Sequence, residues 1–81
     1  MIYTIVQTKE TCNDNPLTLS IEKHGNRYVV ELMNMAHETT RRGFDTLMDA
    51  YKVYEKIASW FVFGYYSEAD RRSFLATGTM K

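Results

Sequence analysis

The sequence has one cysteine, one proline and no excess of either charge. Cys12 cannot form an internal disulfide, so the reducing cytoplasm is the expected compartment. Ten Lys and Arg residues balance ten Asp and Glu residues. A neutral chain has little bulk electrostatic attraction for nucleic acid or for an anionic membrane. The 81 residues predict a single domain, residues 1–81, which must bury most of its large apolar side chains to be stable.

The signatures of enzymatic chemistry are also missing. The sequence contains no nucleophile elbow, and none of its glycines belongs to a phosphate-binding motif. Cys12, His24 and His37 could bind a metal, but they lack the paired spacing of a zinc site and are expected to be solvated surface residues. We therefore expect no catalytic residue, metal, cofactor or small-molecule substrate. The chain is predicted not to be an enzyme.

Long hydrophobic runs are absent as well. The most apolar run, residues 57–66, has about half of the ~20 residues that a membrane-spanning helix needs. The N-terminal residues lack the basic lead and the long apolar segment of a secretory signal. We expect no association with a membrane.

The first half of the chain has the pattern of a β-hairpin. Residues 17–22 alternate apolar and polar side chains, which is typical of a strand with one buried face. Gly25-Asn26 fits a two-residue turn, and residues 28–33 form the return strand. With this turn Ile21 faces Val30, so both strands bury the same side.

The second half changes to a helical period. Apolar residues at three- and four-residue spacing predict an amphipathic helix over about residues 46–63. Thr46 is the candidate N-cap, and Gly64 is the natural stop because glycine tolerates the left-handed conformation. The stripe expected to face the sheet consists of Leu47, Ala50, Tyr51, Tyr54, Ala58 and Phe61.

Three further segments complete the predicted fold. Residues 2–7 are predicted to add a strand, whereas residues 37–42 fit either a short edge strand or a loop. Ser67 repeats the helix-start signal and predicts a shorter helix to about Thr77. The expected fold class is α+β, with a small antiparallel sheet of three to four strands packed on one long helix and a short C-terminal helix.

Aromatic side chains are crowded into residues 51–66, which hold seven of the eleven in the chain. One stripe of a helix cannot bury them all. In one interpretation the C-terminal helix folds back over Trp60 and Phe63, and Tyr65 packs against Trp60. In the other, this flank of the helix contacts another protein, most simply a second copy of the chain in a homodimer.

The second interpretation predicts a small interaction or regulatory protein that self-associates or binds a protein partner. Its contact surface is expected at the end of the main helix, where the surplus aromatic residues are found. The predicted interface residues are Val53, Trp60, Phe63, Tyr65, Tyr66, Phe74 and Leu75.

A resemblance provides the alternative function. Residues 27–32 and 43–54 resemble parts of the three-strand-plus-helix DNA-binding domains of plant ethylene-response transcription factors and of integrase arm-binding modules. The match lies in the aromatic-Asp-Thr turn Phe44–Thr46 that leads into a helix with alanine and tyrosine. The resemblance implies a sheet that enters the major groove of DNA, but Glu22 and Glu31 at outward positions would repel phosphate, which disfavours this function. The candidate contact residues are Lys23, Arg27, Arg41 and Arg42.

Overall fold

A computed structural model describes residues 2–10 and 16–78 of the chain, without the side chain of Ile2. The described residues form one antiparallel sheet and two helices, which confirms the α+β prediction. The sheet has the order β1-β2-β3-β4, and both helices follow it in the sequence. The elements are β1 (Ile2–Glu10), β2 (Leu17–His24), β3 (Arg27–Met33), β4 (Thr39–Phe44), α1 (Leu47–Phe63) and α2 (Glu68–Thr77).

The β2–β3 hairpin has the register that the alternation predicted. Ile21 is paired with Val30, and Leu19 with Leu32. All four side chains are buried against α1, and the turn contains Gly25 with a φ of 62°. The segment that fitted either an edge strand or a loop is a strand, β4, which pairs along β3 from residue 39 to residue 44. Its sequence shows little periodicity because the half-buried positions include Thr40 and Arg42 instead of apolar residues.

Strand β1 contains an irregularity that the sequence did not reveal. The pairing of β1 with β2 shifts register between Thr4 and Val6, which is a β-bulge at Ile5. β1 also extends to Glu10, beyond the predicted residues 2–7. Cys12, one of the candidate metal ligands, lies outside the described residues.

Helix α1 begins and ends as predicted. The Thr46 side chain accepts a hydrogen bond from the Asp49 backbone N–H at 3.2 Å, and Gly64 ends the helix in the left-handed conformation with a φ of 69°. The buried face differs from the predicted stripe, because Leu47 and Tyr51 are 40% and 43% exposed. The face is rotated towards the flank on which α2 packs, and its buried residues are Ala50, Tyr54, Ile57, Trp60 and Phe61.

Helix α2 folds back over the Trp60 side of α1. For Trp60 this agrees with the interpretation in which the C-terminal helix covers the surplus aromatic residues. The Trp60 and Phe74 ring centroids are 5.1 Å apart in an edge-to-face contact. Trp60 and Leu75 are 6% and 0% exposed, so both belong to the core. This burial corrects their predicted placement in a partner interface. Val53 and Phe74 are partly buried against the same core.

Candidate protein-interaction surfaces

The end of α1 and the turn after it carry a contiguous group of exposed apolar side chains. Phe63 is 67% exposed, and Val62, Tyr65 and Tyr66 are each exposed over at least half of their surface. The Phe63 and Tyr65 rings stack at 5.7 Å, and Tyr66 contacts the buried Trp60 ring at 4.8 Å. It is therefore Tyr66, and not Tyr65 as expected, that packs on Trp60. This helix-end patch consists of Val62, Phe63, Tyr65 and Tyr66.

The backbone of the patch is held in a conformation that its sequence disfavours. Tyr66 has a φ of 66°, in the left-handed region that costs a non-glycine residue roughly 1–2 kcal/mol. The conformation places the Tyr66 ring on Trp60 and directs the Tyr65 carbonyl towards α2. Contacts elsewhere must offset this cost.

Arg71 of α2 supplies those contacts. Its Nε and Nη2 donate hydrogen bonds to the Tyr65 carbonyl at 3.0 and 2.6 Å, and Nη2 also reaches the Trp60 carbonyl at 3.3 Å. Nη1 donates to the Glu10 carboxylate, and the guanidinium lies over the Phe61 ring at 5.0 Å. Arg71 and Glu10 are both buried. The residue thus joins the end of α1 to the end of β1.

Sequence reasoning missed both members of this ion pair. Glu10 and Arg71 are far apart in the chain, and no motif connects them. One signal was present: α1 has no basic residue in its last turn. Carbonyl groups at a helix end need donors from elsewhere, and an arginine in the next helix can provide them.

A second apolar surface lies between β1 and the first two turns of α1. It is an open groove of ≈ 620 Å³. Met48 is 69% exposed there, and the Tyr51 ring stacks on the buried Tyr54 at 5.9 Å. The sequence prediction missed the groove because it assigned Leu47 and Tyr51 to the core. The residues that line this β1–α1 groove are Ile5, Val6, Leu47, Met48, Tyr51 and Lys52.

The four basic residues proposed for DNA contact do not share one surface. Pairing along β3 places Arg41 beside Glu31 on the open face of the sheet, and Arg42 beside Val30 on the helix-covered face. Arg41 Nε donates to Glu31 Oε1 at 2.5 Å, and this hydrogen bond raises the pKa of Arg41 above its ordinary value. Lys23 follows the alternation of β2 onto the helix-covered face, whereas Arg27 lies on the open face.

The described residues, 2–10 and 16–78, include no group of three His, Cys, Asp or Glu side chains that could hold a metal ion. His24 contacts the Glu22 carboxylate at 3.1 Å, and His37 lies in the turn between β3 and β4 with a φ of 64°. Neither helix of this part of the chain is long and apolar enough to cross a membrane.

Comparisons with known proteins do not assign the chain to a family. No family model matches it, and no curated protein or solved structure is significantly similar to it. The basis for a function is therefore the chain's own surfaces, above all the helix-end patch and the β1–α1 groove.

Proposed function

We propose that the chain is a small non-enzymatic interaction or regulatory protein that self-associates through the helix-end patch. The observation that carries this proposal is the exposure of Phe63, Tyr65 and Tyr66, which are linked by ring contacts, next to the exposed Val62 in the last turn of α1. Single exposed apolar residues are common on protein surfaces, whereas contiguous apolar groups mark contact sites. Aromatic residues are enriched in such contacts because each buries a large area.

A second copy of the chain is the occupant that suits the patch best. Residues 57–67 contain no charged side chain. Two copies of the patch can therefore meet across a twofold axis without like-charge repulsion, and twofold dimers are the commonest oligomers. The Arg71 hydrogen bonds and the Tyr66–Trp60 contact fix the turn in advance, which reduces the entropy lost on association.

Sheet-mediated DNA contact has less support. Arg41 is already paired with Glu31, and Lys23 and Arg42 lie on the opposite face of the sheet from Arg27. A cytoplasmic location remains part of the proposal, since it rests on Cys12 being the only cysteine.

The test is a Phe63→Lys variant examined by size-exclusion chromatography with light scattering. We expect the wild-type chain to elute at twice its 9.5 kDa monomer mass at high micromolar concentration, and the variant to elute as a monomer. Lysine would place an unpaired charge in the apolar contact. Because a cation near the C-terminus of a helix interacts favourably with its dipole, α1 should remain folded.

Met48→Glu is the matched control, since Met48 and Phe63 lie on the same helix and are 69% and 67% exposed. An acidic residue near the N-terminus of α1 is also favourable for the helix dipole. We expect this variant to remain dimeric. A wild-type chain that is strictly monomeric, or a Phe63→Lys variant that still dimerises, would show that the helix-end patch is not a self-association surface.

A further inference from the structure

We propose that the β1–α1 groove binds an extended peptide segment of another protein, which pairs with the free edge of β1 and inserts an apolar side chain between β1 and α1. This binding site goes beyond self-association through the helix-end patch. The two surfaces lie at opposite ends of α1, which has 17 residues, so their centres are about 20 Å apart along the helix at 1.5 Å per residue. Both surfaces can be occupied at once.

The free edge of β1 provides the backbone hydrogen bonds. β1 is the first strand of the sheet and pairs only with β2 among the described residues. An edge strand presents a row of unpaired N–H and C=O groups, and an extended chain can add to it as a further strand. The first seven residues of β1, residues 2–8, carry no charge that would oppose this pairing. The opposite edge differs, because α2 packs on β4, which carries Arg41 and Arg42.

The bulge provides the apolar side of the groove. In a regular strand, consecutive residues point to opposite faces. Thr4 pairs with Glu22 and Val6 pairs with Ile21, so Ile5 is the extra residue in β1. Ile5 and Val6 consequently both line the groove, as bulges redirect side chains beside binding sites.

The helix provides the facing wall, and the groove has a suitable size. Leu47, Met48 and Tyr51 line it from α1. Its volume of ≈ 620 Å³ lies within the range of about 300–1,000 Å³ that is typical of ligand sites. The Thr8 hydroxyl is hydrogen-bonded to the buried Tyr54 hydroxyl, which fixes the spacing of β1 and α1. The space is therefore held open for one or two apolar side chains of a bound segment.

Charge distinguishes a peptide from a second copy as the occupant. Lys52 lines the groove and forms no side-chain ion pair within the described part of the chain. A twofold dimer would bring the same surface, with the same cation, to both sides of the contact. A peptide with an Asp or Glu next to its apolar side chain complements the groove instead. We therefore expect an extended segment with alternating apolar residues and an adjoining carboxylate.

The experiment selects short random-sequence peptides, displayed on phage, against the full chain. Enriched peptides are synthesised, and their affinity is measured by fluorescence anisotropy. We expect them to share alternating apolar residues and an acidic residue. Met48→Glu should weaken their binding about tenfold or more, because it places in the apolar groove a negative charge of the same sign as the peptide's carboxylate. Phe63→Lys should bind as the wild type does. Amide hydrogen exchange should slow in β1 when peptide is bound.

Three results would overturn the proposal. The first is that no such peptide is enriched, and the second is that Met48→Glu binds the enriched peptides as tightly as the wild type. The third is that Met48→Glu converts a wild-type dimer to a monomer in light scattering, since the groove would then hold a second copy. If the chain does not dimerise through the helix-end patch, the peptide enrichment and the peptide affinities are unchanged. The two proposals can therefore be contradicted independently of each other.

Discussion

Replacing Arg71 by alanine is expected to lower the free energy of unfolding by about 3–5 kcal/mol, the usual loss when one member of a buried ion pair is removed. The variant leaves the Glu10 carboxylate buried without its guanidinium partner. It also removes the donors to the Tyr65 and Trp60 carbonyls. Since small domains have a total stability near the lower end of about 5–15 kcal/mol, much of the population should unfold. Urea denaturation followed by circular dichroism measures the loss.

Two variants separate the contributions of Arg71. Arg71→Lys keeps the positive charge but replaces the three separated guanidinium nitrogens by one, so it cannot keep the geometry of all the hydrogen bonds to Glu10 and the two carbonyl groups, and we expect an intermediate loss of stability. Arg41→Ala removes an arginine from the ion pair with Glu31 on the open face of the sheet, where the Arg41 side chain is mostly exposed. Its denaturation midpoint should fall much less than that of Arg71→Ala, because the Arg41 side chain is 63% exposed and water can solvate the Glu31 carboxylate, 12% exposed in the pair, once Arg41 is removed. A wild-type midpoint for Arg71→Ala would contradict the role of Arg71 in joining α2 to α1 and β1.

Replacing Trp60 by alanine is expected to cost about 3–5 kcal/mol, the range found when a buried aromatic side chain is truncated. Trp60 is 6% exposed and contacts the Tyr66 and Phe74 rings. The truncation leaves a cavity between α1 and α2 and removes the contact that supports the left-handed Tyr66. Thermal unfolding at low protein concentration, where dimerisation is negligible, measures this loss of stability for the monomer.

Phe63→Ala is the matched control for Trp60→Ala because Phe63 is an aromatic residue of the same helix and is largely exposed. We expect it to change the unfolding temperature of the monomer little while weakening self-association. If Trp60→Ala destabilised the chain only at concentrations at which it dimerises, Trp60 would belong to an interface after all. The pair of variants therefore tests the division between core and surface at the end of α1.

The parts of the fold that sequence reasoning predicted depend on neighbouring residues. The Gly25-Asn26 turn sets the register of β2 and β3, and a shift of one residue would turn leucines towards charged positions. Thr46 and Gly64 mark the ends of α1 by local capping chemistry. The Ser67 side chain likewise accepts from the Asp70 N–H at 3.2 Å at the start of α2, as its sequence pattern indicated.

The candidate surfaces were only partly predictable. Trp60 and Phe63 fall outside the main apolar stripe, and the sequence left open whether α2 covers them or they face a partner; α2 covers Trp60 but leaves Phe63 67% exposed. A helical wheel could not decide between the two, since it gives relative angles around α1 but not the direction of the sheet or of α2. The groove depends on the bulge at Ile5, and no residue pattern in β1 indicates that change of register.

The sequence alone determined the α+β class, the hairpin and the limits of both helices, because each depends on periodicity or capping over a few adjacent residues. Tertiary structure decided which face of α1 is buried, since α2 covers the Trp60 side while β1 leaves Leu47 and Tyr51 beside an open groove. It also brought Arg71 to Glu10. Contacts between residues so distant in the chain depend on how whole elements pack, and that packing selects the surfaces left free for a partner.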